Sequence, residues 1–373
     1  MNIDLLCEFG SMNGGENSLV VLLPLLQKRG VRFRVLAPPE GPFAETVRSL
    51  GIELVPFHAE PNDSLEKRRS RLADLLKQNR PDILHANSLS MGRLSGPVTQ
   101  ELVLPSLSHI RDIIRLNRTV IDDLNRHRRL LAVSEATKSF HVAQGVDESR
   151  CKVMYNGVDL SKFKPRDATG YFHREQGIPA TAKFLGVIGQ IGLRKGLDRL
   201  MPVLRNVFAR NHDVHLVVIG RRWSEKDESV QFEESLRREA ESDVFHGRVH
   251  FPGVRTDVDQ LMNELTILVH PARQEPLGRV LLEAAASGLC VVATDVGGTR
   301  EIFFDPQTER CGAILIPDSK FESFSDEIEK LLVDEKLRAN LARIARHRME
   351  TAFSMETAAE RLFGHYSETE AAS

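Results

Sequence analysis

Glu275-Pro276-Leu277-Gly278-Arg279-Val280-Leu281-Leu282-Glu283, continued by Ala284-Ala285-Ala286-Ser287-Gly288, is the stretch on which the reading of this chain turns. An apolar run stands on each side of it, Thr266-Ile267-Leu268-Val269 before and Leu289-Cys290-Val291-Val292-Ala293 after, and each reads as a buried strand. Proline near the start and glycine past the end delimit a helix from about Pro276 to Gly288. It is apolar on nearly every side, so burial is expected. Glu283 breaks that pattern, and a carboxylate inside an apolar helix is costly unless something satisfies it. Glu275 stands at the helix entrance, and Gly278 leaves room for a ligand to approach the first-turn N–H groups. The pattern is a helix N-terminus suited to an anion, with a carboxylate at each end to accept hydroxyl hydrogens.

Outward from this stretch, strand and helix patterns alternate along the whole chain. In the first half, strands are expected at Ile3–Cys7, Val31–Leu36, Ile52–Val55, Ile83–His85, Leu104–Leu107, Leu130–Val133 and Cys151–Met154, with one amphipathic helix over Glu16–Arg29. The tract from Lys164 to Ala182 is polar and poorly periodic, and reads as a linker. A second series comes at Phe184–Ile188, Val214–Ile219, Val249–Phe251, Thr266–Val269, Leu289–Val292 and Ala313–Ile316, and three helices close the chain. Such alternation means parallel sheets covered on both faces. Two doubly wound domains are expected, with their cleft as the natural site. Ligands bind at the carboxyl ends of such strands, which in the first half carry Gly14-Gly15, His85-Ala86-Asn87 and His109-Ile110-Arg111.

The chain's 373 residues suffice for two full cores. A net charge of −2 gives no reason to expect a nucleic-acid partner. The basic runs Lys67-Arg68-Arg69 and Arg126-His127-Arg128-Arg129 read as solvated helix faces, with an anionic lipid surface as the other reading. Four scattered cysteines form no metal spacing, and Cys7 and Cys290 lie in apolar runs, as in a reduced cytoplasmic protein. No apolar run approaches the roughly 20 residues that span a bilayer.

Gly186-x-x-Gly189-x-x-Gly192 departs from the dinucleotide spacing and lacks the acidic partner about 20 residues on. Arg194-Lys195-Gly196 comes next, with two cations at a helix start, against the helix dipole; an anion docking there resolves the conflict. Asp257-Val258-Asp259 reads as a helix cap rather than a metal site, and no metal is expected. His85, His109 and His270 are lone histidines at strand ends. Hydrolase, zincin and P-loop motifs are absent.

Glu275-x7-Glu283 resembles the donor-site signature of the retaining GT-B glycosyltransferases of family 4 type, and other motifs of that family stand in order around it. They are Asn156-Gly157-Val158-Asp159 with Phe163 and Pro165, Lys195-Gly196, Phe251-Pro252-Gly253-Val254, and Val296-Gly297-Gly298-Thr299-Arg300-Glu301. The resemblance implies a GT-B fold of two Rossmann-like domains, residues 1–165 and 166–352, with a last helix at about 353–368 packing back on the first. It implies sugar transfer with retention, without metal or cofactor, from a nucleotide-diphosphate sugar to a hydroxyl of a saccharide or lipid-linked glycan in surface-polysaccharide synthesis. UDP is favoured and GDP is the alternative. The location implied is cytoplasmic, with peripheral association at the inner membrane face.

Position by position, Glu283 would take ribose hydroxyls and Glu275 those of the donor sugar. The backbone at Leu277, Gly278, Arg279 and Val280 would meet the diphosphate or sugar, and Lys195 would neutralise charge. Val254 and Gly220 would lie on the donor side, Gly14-Gly15 would approach the diphosphate, and His109 matches the active-site histidine. His85, Asn87 and Arg111 are expected on the acceptor side. Gln190 departs from the family's arginine, with Arg194 placed to supply that charge, and Asn17 stands at the usual acidic position. A nucleotide-sugar epimerase, a sugar phosphorylase and a non-catalytic nucleotide binder are the competing readings.

Overall fold

The computed structural model describes residues 1–371, in two compact units. The first comprises Met1–Gly157 together with the chain from Phe353 onward, and the second is Val158–Ala352.

The first unit is built on seven parallel strands: β1 (Asn2–Leu6), β2 (Arg32–Ala37), β3 (Glu53–Pro56), β4 (Ile83–Ala86), β5 (Ser106–Ile110), β6 (Arg129–Ala132) and β7 (Cys151–Val153). Their order is β3-β2-β1-β4-β5-β6-β7, so the winding reverses between β1 and β4. Both β4 and β5 are buried at every residue, as expected of central strands covered by helices on both faces. His85 pairs with Leu107 across β4 and β5, which puts His109, two residues on, on the same face as His85. Side-chain caps start several helices: Ser64, Ser88, Asn117 and Ser134 each accept from a backbone N–H three residues on. The helix expected over Glu16–Arg29 is two, Gly14–Val20 and Leu23–Gln27. Pro24 explains the break, because it has no N–H to continue the ladder.

The last helix, Met355–Ala371, buries Ala358, Ala359, Leu362 and Tyr366 in the same core as Ile3, Leu5 and Cys7 of the first unit. It belongs to that unit through packing and through charge. Arg129 pairs with Glu368 at 2.5 Å and donates to His365 Nδ1 at 2.7 Å. Arg128 donates to the carbonyl of Thr369 at 3.2 Å. His127 is fully buried, bonded to Ser106 and to the carbonyl of Gly92. The run 126–129 is therefore not simply a solvated basic face; three of its four residues anchor structure. Arg69, in the other run, pairs with the buried Asp123 at 2.7 Å.

The second unit has six parallel strands: β8 (Lys183–Ile188), β9 (Val214–Ile219), β10 (Val249–Gly253), β11 (Ile267–His270), β12 (Val291–Thr294) and, after a short hairpin of β13 (Phe304–Asp305) and β14 (Arg310–Cys311), β15 (Ile314–Ile316). The order is β10-β9-β8-β11-β12-β15, and the winding reverses between β8 and β11. The tract expected to be linker lies inside this unit. The units divide at Gly157/Val158 rather than at residue 165, and Tyr171–Gln176 forms a helix whose Phe172 is fully buried against Phe184. Asp257 stands just before a short helix, Val258–Leu261, and Asp259 lies in its first turn; the Asp257 side chain caps no N–H there. Arg255 and the Tyr171 hydroxyl hold Asp257, and Arg166 pairs with Asp259 at 3.1 Å, since nearby cations outcompete the free N–H groups for these carboxylates.

Leu362→Ala tests where the last helix belongs. Removing a fully buried leucine from the first unit's core costs about 2–5 kcal/mol. Urea denaturation read by far-UV circular dichroism should show the loss, and a cost below about 1 kcal/mol would mean that the helix is not part of that core.

Candidate active site

Both units place their chemistry where the strand order reverses, the position at which open parallel sheets bind ligands. In the second unit these are the carboxyl ends of β8 and β11. Glycines bring the loops there together. A Cβ on Gly220 would sit 1.9 Å from the carbonyl oxygen of Gly189, and one on Gly196 would sit 2.0 Å from that of Pro271. The close packing of Gly196 sets Lys195 beside the loop after β11.

Glu275 is the centre of that loop, 5% exposed. Its Oε2 receives Lys195 Nζ at 2.5 Å and His270 Nε2 at 2.9 Å, and Arg194 reaches Oε1 at 3.8 Å. Burial alone would raise this carboxyl, but the Lys195 charge and the His270 bond override it and hold Glu275 well below the ordinary carboxylate range. Burial and the neighbouring Lys195 push His270 down, so it donates as a neutral imidazole. The loop is braced from behind by Gly297 and Gly298. Gly298 N–H bonds to the Glu275 carbonyl at 2.9 Å, and a Cβ on Gly297 (φ +55°) would come within 2.0 Å of that oxygen.

The helix after this loop runs from Arg279 to Ala286, three residues later than the proline suggested. Gly278, at φ +102°, holds the turn before it, so Pro276 lies in the loop and not in the first turn. Among the described residues the N–H groups of Gly278, Arg279 and Val280 have no acceptor, as helix starts leave them. Glu283, 8% exposed, is held by Arg279 at 2.9 Å, one turn earlier. Burial nevertheless keeps its carboxyl raised, with Arg279 and Lys162 opposing. Gln190, Arg194 and Lys195 line a pocket of about 280 Å³ with Arg222 and Phe232, at the small end of ligand sites. Val254 is exposed just past β10, while Gly220 is committed to backbone packing.

In the first unit the reversal point gathers neutral groups. His85 Nε2 lies 2.7 Å from His109 Nδ1, and His85 Nδ1 lies 2.7 Å from the Tyr366 hydroxyl. Burial, then Arg111, keeps both imidazoles uncharged. Arg111 donates to Asn87 Oδ1 at 2.7 Å and to Asn156 Oδ1 at 3.0 Å; burial lowers it to about 10, which leaves it a cation at neutral pH. Asn87 Nδ2 is buried without a partner, and Gly15 packs on the Arg111 side chain, where a Cβ would meet Cδ at 3.1 Å. Glu16 is buried beside this cation, pushed up by burial. Asn17 instead donates to the carbonyls of Met12 and Asn13, a local role. Gly14 is exposed. The acceptor-side expectation for His85 is corrected, since both its ring nitrogens are engaged inside the core and none is left for a substrate. Sequence reasoning weighed His270 but left it out of the site; its place five residues before Glu275, at a strand end, was the available signal. It missed Tyr366, for which there was none.

Residues 171–348 match the family model for glycosyl transferases group 1, and residues 12–162 match that for glycosyltransferase family 4. The chain belongs to the GT-B glycosyltransferases. The lipopolysaccharide glucosyltransferase WaaG of Escherichia coli K12 is 32% identical over 181 residues, 48% of this chain and 45% of that protein. A GDP-mannose-dependent alpha-mannosyltransferase of Mycobacterium tuberculosis is 25% identical over 378 residues, 95% and 93% of the two chains. Anabaena HepE, solved with UDP-glucose, shares the fold at a TM-score of 0.86 with 21% identity, over 99% of this chain and 100% of that one. The two family models together take in both reversal points of this GT-B chain, including His109 and the Glu275–Glu283 stretch.

A Glu275→Gln variant measures the buried charge at the centre of the second unit. Leaving Lys195 without its anion costs about 3 kcal/mol at pH 7. The folded Glu275 titrates below the ordinary value of 4.5, so its stabilisation is complete above that value and is lost as pH falls further. Urea denaturation of both proteins at pH 7, 5 and 3.5 should show the gap narrowing in acid. A gap independent of pH would remove the charged-pair account.

Proposed function

We propose that this GT-B glycosyltransferase moves a sugar from a nucleotide-diphosphate sugar to a hydroxyl of a saccharide or lipid-linked glycan in surface-polysaccharide synthesis, with the anomeric configuration retained. The observation that carries the reading is the buried Lys195–Glu275–His270 cluster beside the free N–H groups at Gly278–Val280. It offers a lysine cation and N–H donors for a diphosphate, and a fixed carboxylate for sugar hydroxyls, gathered around the loop after β11. UDP is our choice of nucleotide. Solved HepE binds UDP-glucose and the mycobacterial relative uses GDP-mannose, so the family accommodates both.

In this mechanism the bond from the anomeric carbon to the diphosphate oxygen breaks, and the acceptor oxygen bonds to that carbon on the same face. The acceptor proton passes to a departing phosphate oxygen. Negative charge grows on the diphosphate as the bond breaks. Lys195, Arg194 and the N–H groups of Gly278–Val280 bind that charge more strongly than the ground state, which is the source of acceleration. Glu275, held ionised by Lys195 and His270, accepts donor-sugar hydroxyls and orients them. Glu283 accepts the ribose diol, with Arg279 keeping its side chain in place. Asn87 and Arg111 form the acceptor-side surface of the first unit, where His109 meets a sugar hydroxyl.

We infer that no metal takes part. Asp257 and Asp259, the residues of the one metal-like triplet, are each committed to an arginine. No helix of the described residues is long and apolar enough to cross a membrane. We propose a cytoplasmic enzyme acting at the inner face of a membrane.

Nucleotide binding is measured by thermal shift in EDTA. UDP at a hundred times its Kd should raise Tm by roughly 5 °C or more. Glu283→Ala should weaken UDP at least about tenfold, the loss of one or two hydrogen bonds to a carboxylate. No shift with UDP, GDP or ADP would sink the donor-site reading. Lys195→Ala should lower kcat for transfer about 10²–10³-fold, as loss of an oxyanion donor does. Proton NMR of the first-formed product reads the anomeric configuration, and inversion would end the same-face mechanism.

A further inference from the structure

Three side chains in the first unit form a buried line from the last helix to the reversal point: Tyr366, His85 and His109. Tyr366 and His85 are wholly buried and His109 is 3% exposed. The line has one self-consistent arrangement of protons. The Tyr366 hydroxyl has a hydrogen to place and only one partner among the described residues, His85 Nδ1 at 2.7 Å. A buried O–H without an acceptor is costly, so the hydroxyl donates and His85 Nδ1 accepts. A neutral imidazole carries one proton, which for His85 must then lie on Nε2. That proton points at His109 Nδ1, 2.7 Å away, which becomes an acceptor in turn. His109 therefore keeps its proton on Nε2.

We propose that Tyr366 acts through His85 to fix the tautomer of His109, presenting its Nε2–H as a hydrogen-bond donor to a substrate oxygen and denying it the role of a base. Tyr366 and His85 are positioning residues in this scheme, and His109 alone touches substrate. The inference rests on the glycosyl-transfer reading only for what His109 meets; the proton arrangement stands on the geometry.

The surroundings support neutral rings throughout. Arg111 is the cation that acts most on both histidines, and its donors go to Asn87 and Asn156 rather than to either ring. His127 beyond His85 and His365 beyond His109 are themselves held neutral by burial. Burial pushes the Tyr366 hydroxyl and the nearby Cys7 thiol up, so neither supplies a negative charge to draw a second proton onto the line. The reverse arrangement, with His85 donating to Tyr366, would strand the phenolic hydrogen in the core.

Histidine ring ¹⁵N–¹H correlation spectra distinguish the two tautomers directly. The signals of His109 and His85 are identified by their loss in His109→Gln and His85→Phe. In the wild-type chain at pH 7 both rings should show the Nε2–H pattern. A wild-type His109 protonated on Nδ1 overturns the proposal without any variant. In Tyr366→Phe, which removes one oxygen, His85 loses the donor that fixed it, and both rings should show a mixture of tautomers. Retention of the pure pattern there overturns the proposal as well. In transfer assays Tyr366→Phe should lower kcat roughly tenfold, the worth of one mis-set hydrogen bond, with KM for the nucleotide sugar changed less than about twofold. His85→Phe should have the same effect, and the two together no more than one alone, because they break one line. An additive double variant would overturn it. The spectra need no substrate: an Nε2–H His109 in a chain that transfers no sugar would support this inference while defeating the glycosyl-transfer reading.

Discussion

One buried carboxylate organises the second unit. Glu275 can be ionised in the protein interior only because Lys195 and His270 meet the same oxygen, and that requirement fixes three loops at once. Lys195 must leave β8 through a turn that Gly196 alone permits against Pro271. His270 must end β11 with its ring turned to the loop. Gly297 and Gly298 must lie flat against the Glu275 backbone. The Gly278 turn and the free N–H groups after it are then placed without further adjustment. The geometry of this reversal point is the by-product of satisfying one charge.

The first unit solves its own problem by different means. Its reversal point holds few charges and a chain of neutral imidazoles, so its precision comes from hydrogen-bond direction. Burial keeps His85 and His109 uncharged, and strand register puts them on one face. Arg111 is the exception, and Asn87 and Asn156 occupy its donors. One half is thus tuned by electrostatics and the other by proton placement.

Much of this was legible. Strand-helix alternation is a periodic signal and revealed both sheets; strand ends moved by a few residues, since burial rather than composition decides them. Glu275, Glu283, Lys195 and His109 stood out because each breaks a local pattern or falls at a strand end. The hidden part depends on contacts distant in sequence. Nothing local to Tyr366 announces a partner 281 positions earlier, and nothing in Arg126-His127-Arg128-Arg129 shows that a distant helix will lie across it. The Asp259 cap failed for the same reason, with Arg166 claiming its carboxylate from 93 positions away, while Asp257 is taken by its close neighbour Arg255. Pro276 misled because Gly278, with its positive φ, postpones the helix.

The last helix has a consequence for how the chain is made. During synthesis Met1–Gly157 emerge with the sheet complete but with one patch of core uncovered, the patch that Leu362 and Tyr366 will fill. The whole second unit is translated before the missing piece appears. Domains tend to fold as they leave the ribosome, and pairings far apart in sequence are slow. The first unit must therefore wait, partly open, while its neighbour is made, and the His85–His109 line gains its third member only after that neighbour is complete.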